Sequence, residues 1–386
     1  MILRMKNLFV QFTRLSAVMF FGLVASSLYA TEWMPKAPSL AARNYILIDF
    51  HSSKVLAEKA ADEKVDPASI TKLMTAYIVY EAIESGLIDT DDQVKVSRKA
   101  GRLGGSKMFI EVGSLVSVHD LLSGVVVQSG NDASVALAEH VAGNEEIFAD
   151  LMNKKAQELG LRESYFVNST GLSDDSHYMS ARDIAILSQA LIRDYPQHYS
   201  MYSEHDYTYN DIRQPNRNVL LWRNMNVDGL KTGYTEKAGF CVVVSSQEDD
   251  MRLIAVVMGS GRQKRFDEAS ELLRYGYRFY KTSKLFGKQK ALTEVRVWGG
   301  DKKQLGLGVP ADIYVTLPRS KNAGVKTELM VYEDIIAPIE KGQELGSIAI
   351  SYNGKTIEQS ALISLYRIAE GNLWARISDS VIHLFQ

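Results

Sequence analysis

Hydrophobic and polar positions change their spacing several times along the chain. "NYILIDFHSSKVLAEK" reads as two short strands joined by the polar turn "HSSK". "VDPASITKLMTAYIVY", residues 65–80, takes up the helical period, with Asp66 as N-cap and Pro67 at the first helical position. This amphipathic helix carries one anomaly: Lys72 stands among Ile70, Leu73, Met74 and Ala76. From about residue 88 to 215 helical spacing dominates, as in "VHDLLSGVVVQSGNDASVALAEHVA" and "ARDIAILSQALIRDY". "DGLKTGYT", "GFCVVVSSQ" and "MRLIAVVMGS" then read as an antiparallel meander, and "FDEASELLRYGYRFYK" as a closing helix. After about residue 284 the helical period is lost until the last twenty residues. "EVRVWG", "DIYVTLP", "TELMVYE" and "SIAISYNGKTIEQ" predict a small all-β domain, with Asn353-Gly354 marking a type I′ hairpin.

The two ends have patterns of their own. Arg4, Lys6 and Arg14 precede the apolar run "LSAVMFFGLVA", and "SSLYA" ends in a small residue. This reads as a secretory signal peptide cleaved after Ala30. In "GNLWARISDSVIHLFQ", Leu373, Trp374, Ile377, Val381, Leu384 and Phe385 fall within an arc of roughly 120° at 100° per residue. Arg376, Ser378, Asp379 and His383 lie outside that arc, and Arg376 and Asp379 offset each other's charge. A helix of this kind suits a membrane interface, with little attraction to anionic lipid. The expected organisation is a signal peptide over 1–30, a main domain over 31–283, an all-β domain over 284–366 and an amphipathic helix over 367–386.

Composition narrows the function. The chain has 386 residues, 46% hydrophobic and 23% charged, as a globular protein should. Without residues 1–30 it carries 41 basic and 46 acidic residues, a net of −5, which argues against a nucleic-acid partner. Cys241 is the only cysteine, so no intrachain disulfide forms, and "CVVVSS" around it reads as a buried strand. There is no Cys/His cluster and no HExxH, so neither a metal nor a cofactor is expected.

Ser69 would lie in the first turn of the helix, where backbone N–H groups lack intrahelical partners and the dipole favours an oxyanion. Lys72, three residues on, returns to the same face, so its amine reaches the Ser69 hydroxyl. An apolar setting pushes a lysine pKa down, and a neutral amine accepts the serine proton. Ser-x-x-Lys alone is weak, since a snorkelling lysine would also produce it. Two further elements strengthen it. "SGN" at Ser129–Asn131 sits in a loop between helices, where a second hydroxyl could relay a proton and an amide could hold substrate. "KTG" at Lys231–Gly233 lies on a β-rich run, where Gly233 admits a second backbone and Lys231 supplies fixed positive charge that further depresses Lys72.

Ser-x-x-Lys, Ser-x-Asn and Lys-Thr-Gly in this order resemble the penicillin-binding proteins and serine β-lactamases. With "DPASITKLMTAY", "VVVQSGNDASVALAEHVAG", "NRNVLLW", "VDGLKTGYTEKAGFC" and "NGKTIEQ", the chain resembles the low-molecular-mass D-alanyl-D-alanine carboxypeptidases of peptidase family S11. The resemblance implies an α/β transpeptidase-like domain with an antiparallel sheet and a helical insert, then a β-sandwich and an anchor helix. It implies Ser69 as acylated nucleophile, Lys72 as base, Ser129 in proton transfer to the leaving amine and Asn131 on the substrate amide. Lys231 and Thr232 would orient the substrate, and the N–H groups of Ser69 and Tyr234 would form the oxyanion hole beside Gly233. Arg217 would meet the terminal carboxylate. Tyr234 departs from close relatives, which often have histidine there. The implied partners are peptidoglycan stem peptides, β-lactam antibiotics and the periplasmic face of the inner membrane. A class A β-lactamase reading would require Glu-x-x-x-Asn between Asn131 and Lys231, and the chain has none. A membrane-tethered wall-binding scaffold with a degenerate site is the non-enzymatic alternative, and the three intact elements speak against it.

Overall fold

A computed structural model describes residues 36–223, 225–319, 324–374, 376, 377 and 379. The predicted signal peptide lies outside them. The meander and the first hairpin form one five-stranded antiparallel sheet. Its order is Val55–Lys59, Asn44–Asp49, Met251–Ser260, Gly239–Glu248, Val227–Thr235. The "HSSK" turn joins the first pair as predicted, with Ser53 at φ +57.

Period-two alternation gives this sheet two apolar faces. Ile46, Ile48, Val243, Ile254 and Val256 face the helix Lys72–Glu84 and the helical region beyond it. Leu47, Val242, Val244, Leu253 and Ala255 face Phe266, Ala269, Leu272 and Leu273 of the closing helix Lys264–Phe279. Each large side chain buried this way contributes about 1.5–3 kcal/mol. The helix Lys72–Glu84 is not amphipathic as expected: every residue from Lys72 to Tyr80 is buried. It runs through the core against the helices Asn131–Ala142, Glu145–Glu158 and Ala181–Asp194, the last of which packs on the strands Asn44–Asp49 and Met251–Ser260. A helix apolar on all sides requires such a central position.

The region 88–215 is less helical than its spacing suggests. It includes two ribbons, Gln93–Lys95 with Leu115–Ser117 and Asp206–Tyr209 with Ile212–Pro215. Strands of three and four residues are too short to show a period. The second ribbon turns at Asn210 and Asp211, both at positive φ, which is a local hairpin signal.

The strand Tyr280–Phe286 follows the closing helix directly, crosses residue 284 and pairs with Ile313–Pro318. The rest of the β domain is a five-stranded sheet in the order Thr293–Arg296, Gln304–Gly308, Lys355–Ser364, Glu344–Tyr352, Val325–Val331. Ile313, Val315 and Leu317 of the ribbon pack with Ile348, Ile350 and Leu362 of that sheet. The Asn353-Gly354 turn joins its two longest strands, both residues at positive φ.

In the tail, residues 375, 378 and 380–386, with Val381, Leu384 and Phe385, lie outside the described set. Leu373, Trp374 and Ile377 are helical and exposed, Trp374 by 80%. Arg376 and Asp379, of opposite charge, each find a separate partner. Arg376 pairs with Glu370 at 2.8 Å, and the buried Asp379 accepts from the Gly299 N–H at 2.8 Å and meets Lys303 Nζ at 2.6 Å. The start of this segment is therefore held on the β domain. Among the described residues, no helix is long and apolar enough to cross a membrane.

Candidate active site

Ser69 sits in a single 3-10 turn, Ala68–Thr71, ahead of the α-helix that begins at Lys72. Asp66 is not the helix N-cap the sequence predicts: Pro67 precedes the 3-10 turn and Thr71 the α-helix, and Asp66 Oδ1 instead accepts the Ala68 N–H at 2.8 Å in a local turn. Ala68, however, adopts φ +49, and this left-handed residue breaks the helical run before the nucleophile. Two glycines grip the turn. A Cβ on Gly171, itself at φ +78, would stand 1.8 Å from the Ala68 carbonyl oxygen. One on Gly233 would stand 3.1 Å from the Ala68 Cβ, which is the close backbone approach expected of Lys-Thr-Gly.

Lys72 is fully buried, and its amine has three oxygen neighbours. Thr170 O lies at 2.6 Å, Asn131 Oδ1 at 2.7 Å and Ser69 Oγ at 3.2 Å. Asn131 Nδ2 donates to the Gly104 carbonyl at 2.8 Å, which fixes the amide so that its oxygen faces the lysine. The Thr170 and Asn131 oxygens only accept. A neutral amine spends its two N–H bonds on them and turns its lone pair to the Ser69 hydroxyl. Burial pushes the Lys72 amine down to about 7, and the charge of Arg217 acts in the same direction; Asp132 and Glu145 oppose them.

Lys231, which the sequence reads as a fixed charge, lies on the strand Val227–Thr235. It is itself buried, and its amine is pushed well down by burial first and then by Lys72, Arg217 and Arg265. The cation that acts on Lys72 is Arg217. The "SGN" loop is shorter than expected, because one π-helical turn, Gly124–Gln128, ends on Ser129 at φ +67 and the next helix starts at Asn131. Ser129 Oγ is buried with no hydrogen-bond partner among the described residues. Such an orphan in a strained turn is where function is sought.

Ser69, Ser129, Asn131, Arg217, Thr232, Gly233 and Tyr234 line one cleft of about 880 Å³, and the two lysines lie behind its wall. Arg217, Arg262 and Arg265 also line it, and among the described residues no carboxylate does. Among the described residues, Arg217 Nε donates only to Gln128 Oε1, at 3.5 Å. Arg265 donates to the carbonyls of Gly233 at 2.9 Å and Cys241 at 3.1 Å, bracing the Lys-Thr-Gly strand. Tyr234 is exposed and stacks on Phe240. Cys241 is a buried strand residue whose thiol is pushed up to about 11 by burial, so it is no nucleophile.

Sequence reasoning did not find Thr170, Glu145, Arg262 or Arg265. Thr170 contributes a main-chain oxygen, which no residue pattern marks. The others come from distant elements and carry no local motif.

A serine facing the lone pair of a buried lysine, under a cationic cleft, defines an acyl-transfer enzyme of the Ser–Lys class. Residues 31–262 match the peptidase S11 family, D-alanyl-D-alanine carboxypeptidase, and residues 280–370 match the C-terminal domain of penicillin-binding protein 5. The chain is 44% identical to D-alanyl-D-alanine carboxypeptidase DacC of Escherichia coli, across 95% of this chain and 94% of that one. Penicillin-binding protein 5 from Haemophilus influenzae superposes with TM-score 0.81 at 41% identity, over 87% of this chain and 99% of the other. Penicillin-binding protein D2 from Listeria monocytogenes, in an ampicillin-bound form, gives TM-score 0.58 at 29% identity, over 63% and 99%. The chain belongs to the D-alanyl-D-alanine carboxypeptidase family, and its activity is that of a serine-type D-Ala-D-Ala carboxypeptidase.

Proposed function

We propose that Ser69 attacks the penultimate D-alanine carbonyl of a peptidoglycan pentapeptide stem, with Lys72 as the base that takes its proton. The Lys72 amine carries this reading: it has two oxygens that only accept, at 2.6 and 2.7 Å, and the Ser69 hydroxyl at 3.2 Å, so its neutral form would give its N–H bonds to the first two and its lone pair to Ser69. The N–H groups of Ser69 and Tyr234 bind the oxyanion, and Ser129 passes a proton to the departing D-alanine amine. Asn131 both holds Lys72 and meets the substrate amide, while Lys231 and Thr232 orient the chain. Water then releases the acyl group. Penicillin enters the same path and acylates Ser69, as the ampicillin-bound form of the Listeria relative supports. Incubating the mature protein with a muropeptide ending in D-Ala-D-Ala should release one D-alanine per peptide; no release would refute the reading.

Arg217 is assigned to the terminal carboxylate, since it enters the cleft without an acidic partner among the described residues. A charge-assisted pair contributes about 1.5–3 kcal/mol. Arg217→Ala should therefore lower kcat/KM on the free peptide by about ten- to a hundredfold. Acylation by an analogue whose terminal carboxylate is amidated should be much less affected. Equal losses on both would give Arg217 a structural role instead.

Export to the periplasm and peripheral attachment to the inner membrane complete the proposal. The exposed Leu373, Trp374 and Ile377 support the attachment. Inserting Trp374 gains about 1.5–3 kcal/mol, so Trp374→Glu should weaken partition onto lipid vesicles by at least about tenfold. Turnover of a small peptide should be unchanged. Undiminished vesicle binding by the variant would refute the anchor.

A further inference from the structure

Glu145 lies outside the three motifs and does not line the cleft, yet it is only 8% exposed. It opens the helix Glu145–Glu158, which Asn144 caps by accepting the Ile147 N–H at 2.8 Å. Its Oε1 accepts both the Ser169 N–H, at 3.0 Å, and the Ser169 hydroxyl, at 2.7 Å. Its Oε2 meets Lys99 Nζ at 2.9 Å on the outer side. Beyond Ser169 the contacts run inward to the nucleophile helix. The Ser169 carbonyl accepts the Thr75 hydroxyl at 2.6 Å, and the Thr170 carbonyl accepts from Lys72 Nζ at 2.6 Å. Asn168 Oδ1 closes the same turn by accepting the N–H groups of Thr170, at 3.1 Å, and Gly171, at 2.7 Å.

We propose that Glu145 is a positioning residue for the acylation step: by holding Ser169 from behind, it fixes the Thr170 carbonyl that orients the Lys72 amine. This rests on Ser69 and Lys72 acting as the acylating pair. Without the carboxylate, a buried N–H and hydroxyl on Ser169 lose their acceptor, and the turn relaxes to satisfy them. The Thr170 oxygen then leaves the amine, one N–H of Lys72 is freed and the lone pair no longer points at Ser69. Glu145 also sets charge. Lys72 is faced by Asp132 from the helix Asn131–Ala142, Glu145 from the helix behind it, Arg217 from the cleft, Lys231 from the Lys-Thr-Gly strand and His177 from the loop beyond Thr71. Glu145 and Asp132 favour the ammonium form against Arg217 and burial. Glu145 itself faces Lys99, which also meets Glu146 at 3.2 Å.

The test is the rate of acylation by a fluorescent penicillin, followed across pH for the mature protein, Glu145→Ala and Glu145→Gln. Glu145→Ala removes both hydrogen bonds and the charge, and should slow acylation by about ten- to a hundredfold. Glu145→Gln keeps an acceptor for Ser169, so most of the rate should survive. Its low-pH limb, set by protonation of Lys72, should move to lower pH, because a charge favouring the ammonium has gone. A Glu145→Gln variant that loses tenfold or more of the acylation rate overturns the proposal, since its acceptor for Ser169 is kept, and that arm decides the matter even if the alanine variant fails to fold. Wild-type rates in Glu145→Ala also overturn it. Failure of the underlying reading looks different: the unaltered protein would not be acylated, or would be acylated without Ser69.

Discussion

Ser69→Ala is expected to abolish both D-alanine release and covalent labelling by penicillin, a loss on the order of 10⁶ in kcat for removal of a nucleophile. The hydroxyl removed is the group that the Lys72 lone pair faces at 3.2 Å. Ser69 itself makes few demands on the fold. The turn that carries it is held by the Asp66 contact with Ala68 and by the close approach of Gly171 and Gly233, and none of these involves the serine side chain. Melting temperature should therefore stay within a few degrees of the parent. Non-covalent binding of a D-Ala-D-Ala peptide should persist, because Arg217 and the strand Val227–Thr235 are untouched. Covalent labelling retained by the alanine variant would place the nucleophile elsewhere.

Lys72→Arg should be nearly as damaging, at about 10²–10⁴-fold in acylation, the usual contribution of a general base. Arginine keeps the positive charge but does not lose its proton near neutral pH. It also brings a larger head into a space where Lys72 is fully enclosed by Thr170, Asn131 and Ser69. The pH dependence follows from the same group. Burial lowers the Lys72 amine from its ordinary value near 10.5 to about 7. The neutral base dominates above that pH, so acylation should fall as pH drops below about 7 and level off above it. Stopped-flow acylation at several pH values checks both statements. A Lys72→Arg variant that acylates at close to the parent rate would exclude the neutral-lysine mechanism.

The sequence spoke most clearly where spacing alone carries the chemistry. Ser69, Ser129, Asn131, Thr232 and Gly233 stand in motifs that a few residues of order and spacing mark, and the structure brings these five to one cleft. The short apolar runs in residues 227–260, separated by polar turns, marked the strands of a sheet that is buried on both faces. What could not be read there depends on distant packing. Lys72 helps to open a helix buried on all sides, and no local window distinguishes that from an amphipathic one. The left-handed Ala68 is imposed by Gly171 and Gly233, a hundred and more residues away. The roles of the two active-site lysines were also hidden, because whether Lys231 acts as a fixed charge or as a second depressed amine depends on how deeply the strand is covered. Thr170 reaches Lys72 through a main-chain oxygen, which leaves no trace in residue identity. At the tail the partners of Asp379, the Gly299 N–H and Lys303, belong to the β domain and could not be read from the segment itself.

The central claim is an acyl-enzyme on Ser69. The most direct measurement is to react the mature protein with a labelled penicillin, digest it and locate the adduct by tandem mass spectrometry. The account predicts one adduct per chain, on the peptide spanning residues 65–80 and on the Ser69 oxygen. An adduct on Ser129 or any other side chain, or none under conditions where the protein releases D-alanine, would contradict it.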